Sequence, residues 1–149
     1  MPETSVVELL AVQEETLEAL YGTFAKRFPA QEALWSAMAA AEHLHAEQLR
    51  LLYDLLRSHH VSWGDRHFTA QTIASGQAHI SQLLRRAEAG NITAREALTA
   101  AIGLETSLLE RDYFRVFAPD SPRLVEVFRR LSQETREHLQ TLREALAAL

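Results

Sequence analysis

The stretch AAAEHLHAEQL, residues 39–49, sets Glu42 and His45 three residues apart inside an alanine-rich run that extends from about Ala30 to Ser58. Which way these two side chains face decides the fold. The apolar residues around them recur at alternating spacings of three and four, the repeat of a helix packed in a bundle. The trace runs Trp35, Met38, Glu42, His45, Leu49, Leu52, Leu56. Glu42 and His45 therefore interrupt the buried stripe midway and do not lie on the wet face.

Working outward, the chain divides into similar runs. One opens at Ser5, which with Glu8 makes a capping box, and ends at Phe28-Pro29, where proline stops a helix. HHVSWGDRHFT (59–69) has no period and reads as loop, and residues 70–88 form a shorter helical segment that AGNI (89–92) breaks. Thr93 with Glu96 makes a second capping box and starts a run to about Phe117. APDSP is a turn, with Pro122 at a helix N1 position, and a last run fills 122–148. No strand-like alternation appears. The pattern predicts an all-α fold: an antiparallel four-helix bundle of two helical hairpins, joined by a crossover of 33 residues (59–91) that holds a short helix. One domain over 1–149 is expected.

The other stripes carry polar interruptions at the same level. They run Val7, Leu10, Glu14, Leu17, Tyr21, Phe24, Phe28 in the first helix and Leu98, Ile102, Glu105, Leu109, Asp112, Val116 in the third. In the fourth the trace is Leu124, Phe128, Leu131, Thr135, His138, Leu142, Ala145, Leu149. A buried carboxylate costs several kcal/mol unless it is paired or bound to metal. Glu14, Glu42, His45, Glu105 and His138 thus need something that satisfies them together. The separations echo, 31 residues from Glu14 to His45 and 33 from Glu105 to His138, as two similar hairpins would produce. Glu15 and Glu18 fall off the stripe and read as surface carboxylates. Carboxylate and imidazole without sulfur suit iron, manganese or zinc.

Composition narrows the classes. The net charge is −5, with no basic patch for nucleic acid, and there is no cysteine for disulfides, iron–sulfur clusters or thiol nucleophiles. No apolar stretch reaches the roughly 18 residues of a membrane span. The N-terminal MPETSVVELL lacks a basic region followed by an apolar run, so no signal peptide is expected and a cytoplasmic location is the default.

On these residues the chain resembles the rubrerythrin-like branch of the ferritin-like superfamily, without a rubredoxin domain. AVQEETLEALYGTFAKRFP resembles its first helix, ALWSAMAAAEHLHAEQLRLL its second and ITAREALTAAIGLE its third. In that superfamily two helices each supply a Glu and the other two each a Glu-x-x-His to a dinuclear metal centre. The resemblance implies that Glu14, Glu42, His45, Glu105 and His138 are metal ligands of two ions, iron in the first instance, with zinc, manganese or a single ion as alternatives. The fourth helix departs from the pattern. LSQETREHLQTL has Thr135 where the second motif needs its glutamate, with Glu134 one residue earlier, about 100° round the helix; Asp112 or a shifted Glu134 is the candidate substitute.

What the resemblance implies for function is peroxide- or O₂-linked redox chemistry, with electrons from a separate donor protein and a homodimer by analogy. Tyr21 and Trp35 would lie near the centre, as packing aromatics or as a relay. The alternative is a metal-poor or single-metal helical bundle acting as a binding or oligomerisation module. Hemerythrin-like oxygen carriage needs more inward histidines than these two. His59, His60 and His67 read as exposed loop histidines. His79 lies on the short crossover helix and reads as covering or capping a neighbouring part of the chain, and Gly103 reads as a point of close helix approach, as a local distortion near Glu105, or as incidental.

Overall fold

A computed structural model of the chain describes residues 3–59, 70–111 and 122–149. Among these residues the chain is all-helical. The elements are α1 (Glu3–Arg27), a 3₁₀ turn (Pro29–Gln31), α2 (Glu32–His59), α3 (Ala70–Glu88), α4 (Ala94–Arg111) and α5 (Pro122–Ala148). They form two compact units, one built on α1, α2 and α3, the other on α4 and α5. No helix among the described residues is long and apolar enough to cross a membrane.

In the first unit, α1 ends where proline dictates. Phe28 leaves the helical region (φ −124°, ψ 75°) ahead of Pro29, as the steric bulk of a following proline requires. The amide of Phe28 makes the last helical bond, to Phe24 O at 2.9 Å. The 3₁₀ turn then reverses the chain. Glu14 and Glu18 on α1 face His45 and His43 on α2, and Tyr21 faces Trp35. Numbers that rise along α1 fall along α2, so the pair is antiparallel. Its apolar seam includes Val7, Leu10, Leu17, Tyr21, Phe24, Trp35, Met38, Leu49 and Leu52, all essentially inaccessible to solvent.

The third helix covers the residues that the sequence predicts, 70–88. It has 19 residues and buries Ile73, Ile80, Leu83 and Ala87 on one side. Two bonds give its direction. Gln77 Nε2 donates to Thr16 Oγ1 at 2.7 Å, and the Arg27 guanidinium donates to Glu88 O; each pair is separated by 61 residues. A constant offset means that α3 runs parallel to α1, carrying the chain along the length of the hairpin and back to the end with the turn. It closes with a Schellman cap: Asn91 N donates to Arg86 O (2.9 Å) and Gly90 N to Ala87 O (3.1 Å), with Gly90 at φ +72°.

In the second unit α4 packs on α5. The Thr93 capping box forms as predicted, Glu96 N donating to Thr93 Oγ1 (3.1 Å) and Thr93 N to Glu96 Oε1 (3.2 Å). The buried residues here include Ala97, Leu98, Ala101, Leu131, Leu139 and Leu142.

Several expectations are corrected. α1 is already helical at Glu3, so Ser5 lies inside the helix and is not its N-cap. Ile102 is only half-buried and Ala101 takes its place in the seam, while Leu149 is 52% exposed at the chain end. His79 sits on the exposed side of α3. A Cβ on Gly103 would meet no atom within 4 Å, so no close helix approach explains it. Asp112, Val116, His60 and His67 lie outside the described residues, as do the side chains of Leu56, His59, Leu109, Leu124 and Phe128.

Candidate metal centre

The polar interruptions of the α1–α2 seam meet inside the first unit. Glu42 and His45 occupy one turn of α2, and Glu14 reaches toward them from α1. All three are almost fully buried, at 1%, 2% and 1% exposure for Glu42, His45 and Glu14. His45 Nδ1 lies 3.2 Å from Glu42 Oε2 and 4.0 Å from Glu14 Oε2. One ligand atom from each residue lies within 4.8 Å of the others. Donors that share one ion at about 2.0–2.2 Å sit at most about 4.4 Å apart, so this set closes on an ion with small side-chain adjustments. Two carboxylates against one imidazole leave an excess of negative charge when the carboxylates are ionised, which a divalent cation neutralises. The donor set is oxygen and imidazole nitrogen, the chemistry of iron, manganese and zinc.

The second unit also brings a carboxylate and an imidazole together. Glu105 on α4 is fully buried and His138 on α5 half-buried, with a carboxylate oxygen and a ring nitrogen within 4.8 Å of each other. One turn before His138, Thr135 is 1% exposed and donates its hydroxyl to Leu131 O at 3.0 Å. Glu134, half-buried, belongs to none of the carboxylate–imidazole clusters among the described residues; a rotation of about 100° separates it from the Thr135 face.

The aromatic residues stand beside the α1–α2 set. Tyr21 and Trp35 lie seven residues from Glu14 and Glu42 respectively, about 10 Å along each helix and, because the helices are antiparallel, toward the same end. Their rings stack at 5.6 Å between centroids and 29°, with Phe24 tilted against Trp35 at 4.8 Å. The indole N–H donates to Gln31 Oε1 at 3.3 Å.

Two features escaped the sequence. Gln13, beside Glu14, is 3% exposed; its spacing of three from Leu10 is the signal that could have found it. On the outer side of α2, His43 bridges two carboxylates, Nδ1 facing Glu18 and Nε2 facing Glu47, each at 3.2 Å. The hydrogen bond that His43 donates to the Glu18 carboxylate chiefly raises its pKa above the ordinary histidine value, with the charges of Glu18 and Glu47 adding to it. The surface assignment of Glu15 holds: it is exposed and pairs with Arg50. Comparison of the chain with protein-family models, curated proteins and solved structures finds no match.

Proposed function

We propose that the chain is a di-metal carboxylate protein resembling the rubrerythrin-like, ferritin-like bundles, with iron as its metal and O₂ or peroxide as its substrate. The observation that carries the reading is the buried Glu14, Glu42 and His45 set, whose donor atoms gather within 4.8 Å. The parallel run of α3 along α1 supports a crossover of the ferritin-like kind. Glu14, Glu42 and His45 would hold one ion, and Glu105 and His138 the other. Iron in such a set supplies electron exchange with O₂ or peroxide.

The chain's own part is positioning and exclusion. Helix packing fixes both carboxylates and orients the imidazole so that Nδ1 faces them. The surrounding Leu10, Leu17, Met38 and Leu49 keep the donors away from bulk water. With no cysteine in these residues, reducing equivalents come from a separate donor protein.

A second reading has its own observation. Thr135 satisfies its hydroxyl on its own helix, as expected of a metal-poor or single-metal bundle that serves as a binding or oligomerisation module. The discriminating experiment is anaerobic loading with Fe(II) followed by peroxide. The redox reading expects rapid oxidation of the bound iron and peroxide consumption that Glu42→Ala abolishes; consumption no faster than that of free Fe(II), in wild type and variant alike, would overturn it.

A further inference from the structure

Charge is unevenly spread over the first unit. The chain carries −5 overall, and along the α1–α2 flank the carboxylates Glu15, Glu18 and Glu47 are matched by Arg50 and His43. The end with the hairpin turn is different. The last turn of α1 brings Lys26 and Arg27 there, and the last turn of α3, which runs parallel to α1, brings Arg85 and Arg86. Glu32, in the first turn of α2, and Glu88 are the carboxylates at that end among the described residues of the unit. Arg27 is committed to Glu88 O. Lys26 and Arg85 are exposed and make no ion pair or hydrogen bond among the described residues. Lys26 stands between two open grooves, one of about 450 Å³ beside Pro29 and Ser36 and one of about 470 Å³ beside Thr23 and Glu88. The aromatic stack extends toward the same end. Beyond Tyr21 and Trp35, the indole N–H reaches Gln31 in the turn, which is half-exposed. The first residue of α2, Glu32, is ten residues from Glu42, about 15 Å along the helix.

We propose, resting on the redox reading above, that the electron donor docks on this end and that it is an acidic electron-transfer protein. Uncompensated cations on an acidic chain attract a carboxylate-rich surface and orient it during encounter. The flank nearer the metal set offers no such charge, because its own carboxylates are already paired. Docking at the turn places the donor at the outer end of the stack, with packed rings and no bulk water between it and Glu42. In each encounter the donor loses one electron and one ferric ion of the centre becomes ferrous. Two such electrons and two protons reduce one peroxide to two waters, its O–O bond breaking.

Flavodoxin, an acidic flavin protein, serves as the probe against the iron-loaded full chain. Lys26 is the only lysine in the sequence, so a carbodiimide that joins carboxylates to amines reports its contact directly. The cross-link should map to Lys26 by peptide mass spectrometry, and fade between about 0.01 and 0.15 M ionic strength as the screening length falls from about 30 to about 8 Å. In stopped-flow mixing with flavodoxin hydroquinone at low salt, Lys26→Glu with Arg85→Glu should lower the second-order rate at least about tenfold. Lys26→Arg should keep the rate and lose the cross-link. Arg130→Glu with Arg143→Glu, the same change of net charge on exposed residues of α5, should lower the rate less than about threefold. Equal losses in the two double variants, or a cross-link confined to the N-terminal amine, overturn the docking site. Phosphate that blocks the reaction more than chloride of equal ionic strength makes the end a small-anion site and overturns it too. Iron that dithionite reduces and flavodoxin does not overturns the docking and leaves the redox reading standing; iron that neither reduces overturns both. Should the charge-reversed variant fail to fold, by circular dichroism, the cross-link and Lys26→Arg decide.

Discussion

Replacing Glu14 by glutamine separates a metal site from a structural ion-pair network, because the two predict opposite signs. With ligand atoms of Glu14 and Glu42 within 4.8 Å, two ionised carboxylates repel by about 3.5 kcal/mol or more at an effective dielectric constant near 20. A protonated His45, 4.0 Å from Glu14, returns about 4 kcal/mol on the same scale. The terms nearly cancel when the imidazole is charged, and the repulsion stands alone when it is neutral. Glu14→Gln is nearly isosteric and keeps an oxygen acceptor. The metal-free variant should therefore be as stable as the wild type or more stable, by up to about 3 kcal/mol. With Mn(II) at a hundred times the dissociation constant, the wild type gains about 2.7 kcal/mol by mass action, and the variant loses most of that gain. Urea unfolding of both proteins, with and without Mn(II), reads all four values. A purely structural network predicts the reverse, since breaking a buried pair costs about 3–5 kcal/mol. A loss of that size in the metal-free variant, with an unchanged response to Mn(II), would refute the reasoning.

Other predictions concern the frame and the surface around the site. Trp35→Ala removes the centre of the Tyr21–Trp35–Phe24 stack and should lower stability by about 3–5 kcal/mol; a loss under about 1 kcal/mol in chemical denaturation would contradict the packing described. Gly90→Ala forces a side chain to φ +72° and places its Cβ 3.3 Å from Arg27 Nη1, at a cost of about 1–2 kcal/mol that a urea midpoint measures. His43 should titrate above the ordinary histidine value in the folded protein, and Glu18→Gln should lower that pKa, as followed by the ring-proton shifts in nuclear magnetic resonance. Because the folded pKa is the raised one, this clamp contributes to stability below the unfolded-state pKa, and the contribution fades as pH rises through the folded value. An unchanged titration in the variant would remove Glu18 as its cause.

The α1–α2 half was legible in the sequence because large apolar residues at spacings of three and four leave little choice of face. Glu14, Glu42 and His45 could be placed by counting from Leu10, Leu17, Met38 and Leu49. The Thr93 cap was legible for the same local reason. The path of α3 was not, since its direction rests on Gln77 meeting Thr16 and Arg27 meeting Glu88, contacts between residues 61 apart that no local pattern encodes. The start of α1 was misread because a capping-box spelling also occurs inside a helix, where its hydroxyl has no free amide to cap. In α5 the buried surface is broader than a single stripe, so Leu139 is buried off the trace while Leu149, past the last helical turn, is not. Thr135 at the position of a carboxylate was visible in the sequence; that its hydroxyl turns back to Leu131 O was not, since a serine or threonine in a helix can equally point outward.

The central claim is that Glu14, Glu42, His45, Glu105 and His138 hold metal. Its most direct test is the iron content of the full chain after purification from iron-replete cells and after addition of Fe(II) to the chelated protein, by plasma mass spectrometry with circular dichroism as a check of folding. The account predicts about two irons per chain. A well-folded protein that carries no metal and refuses added Fe(II) would contradict it.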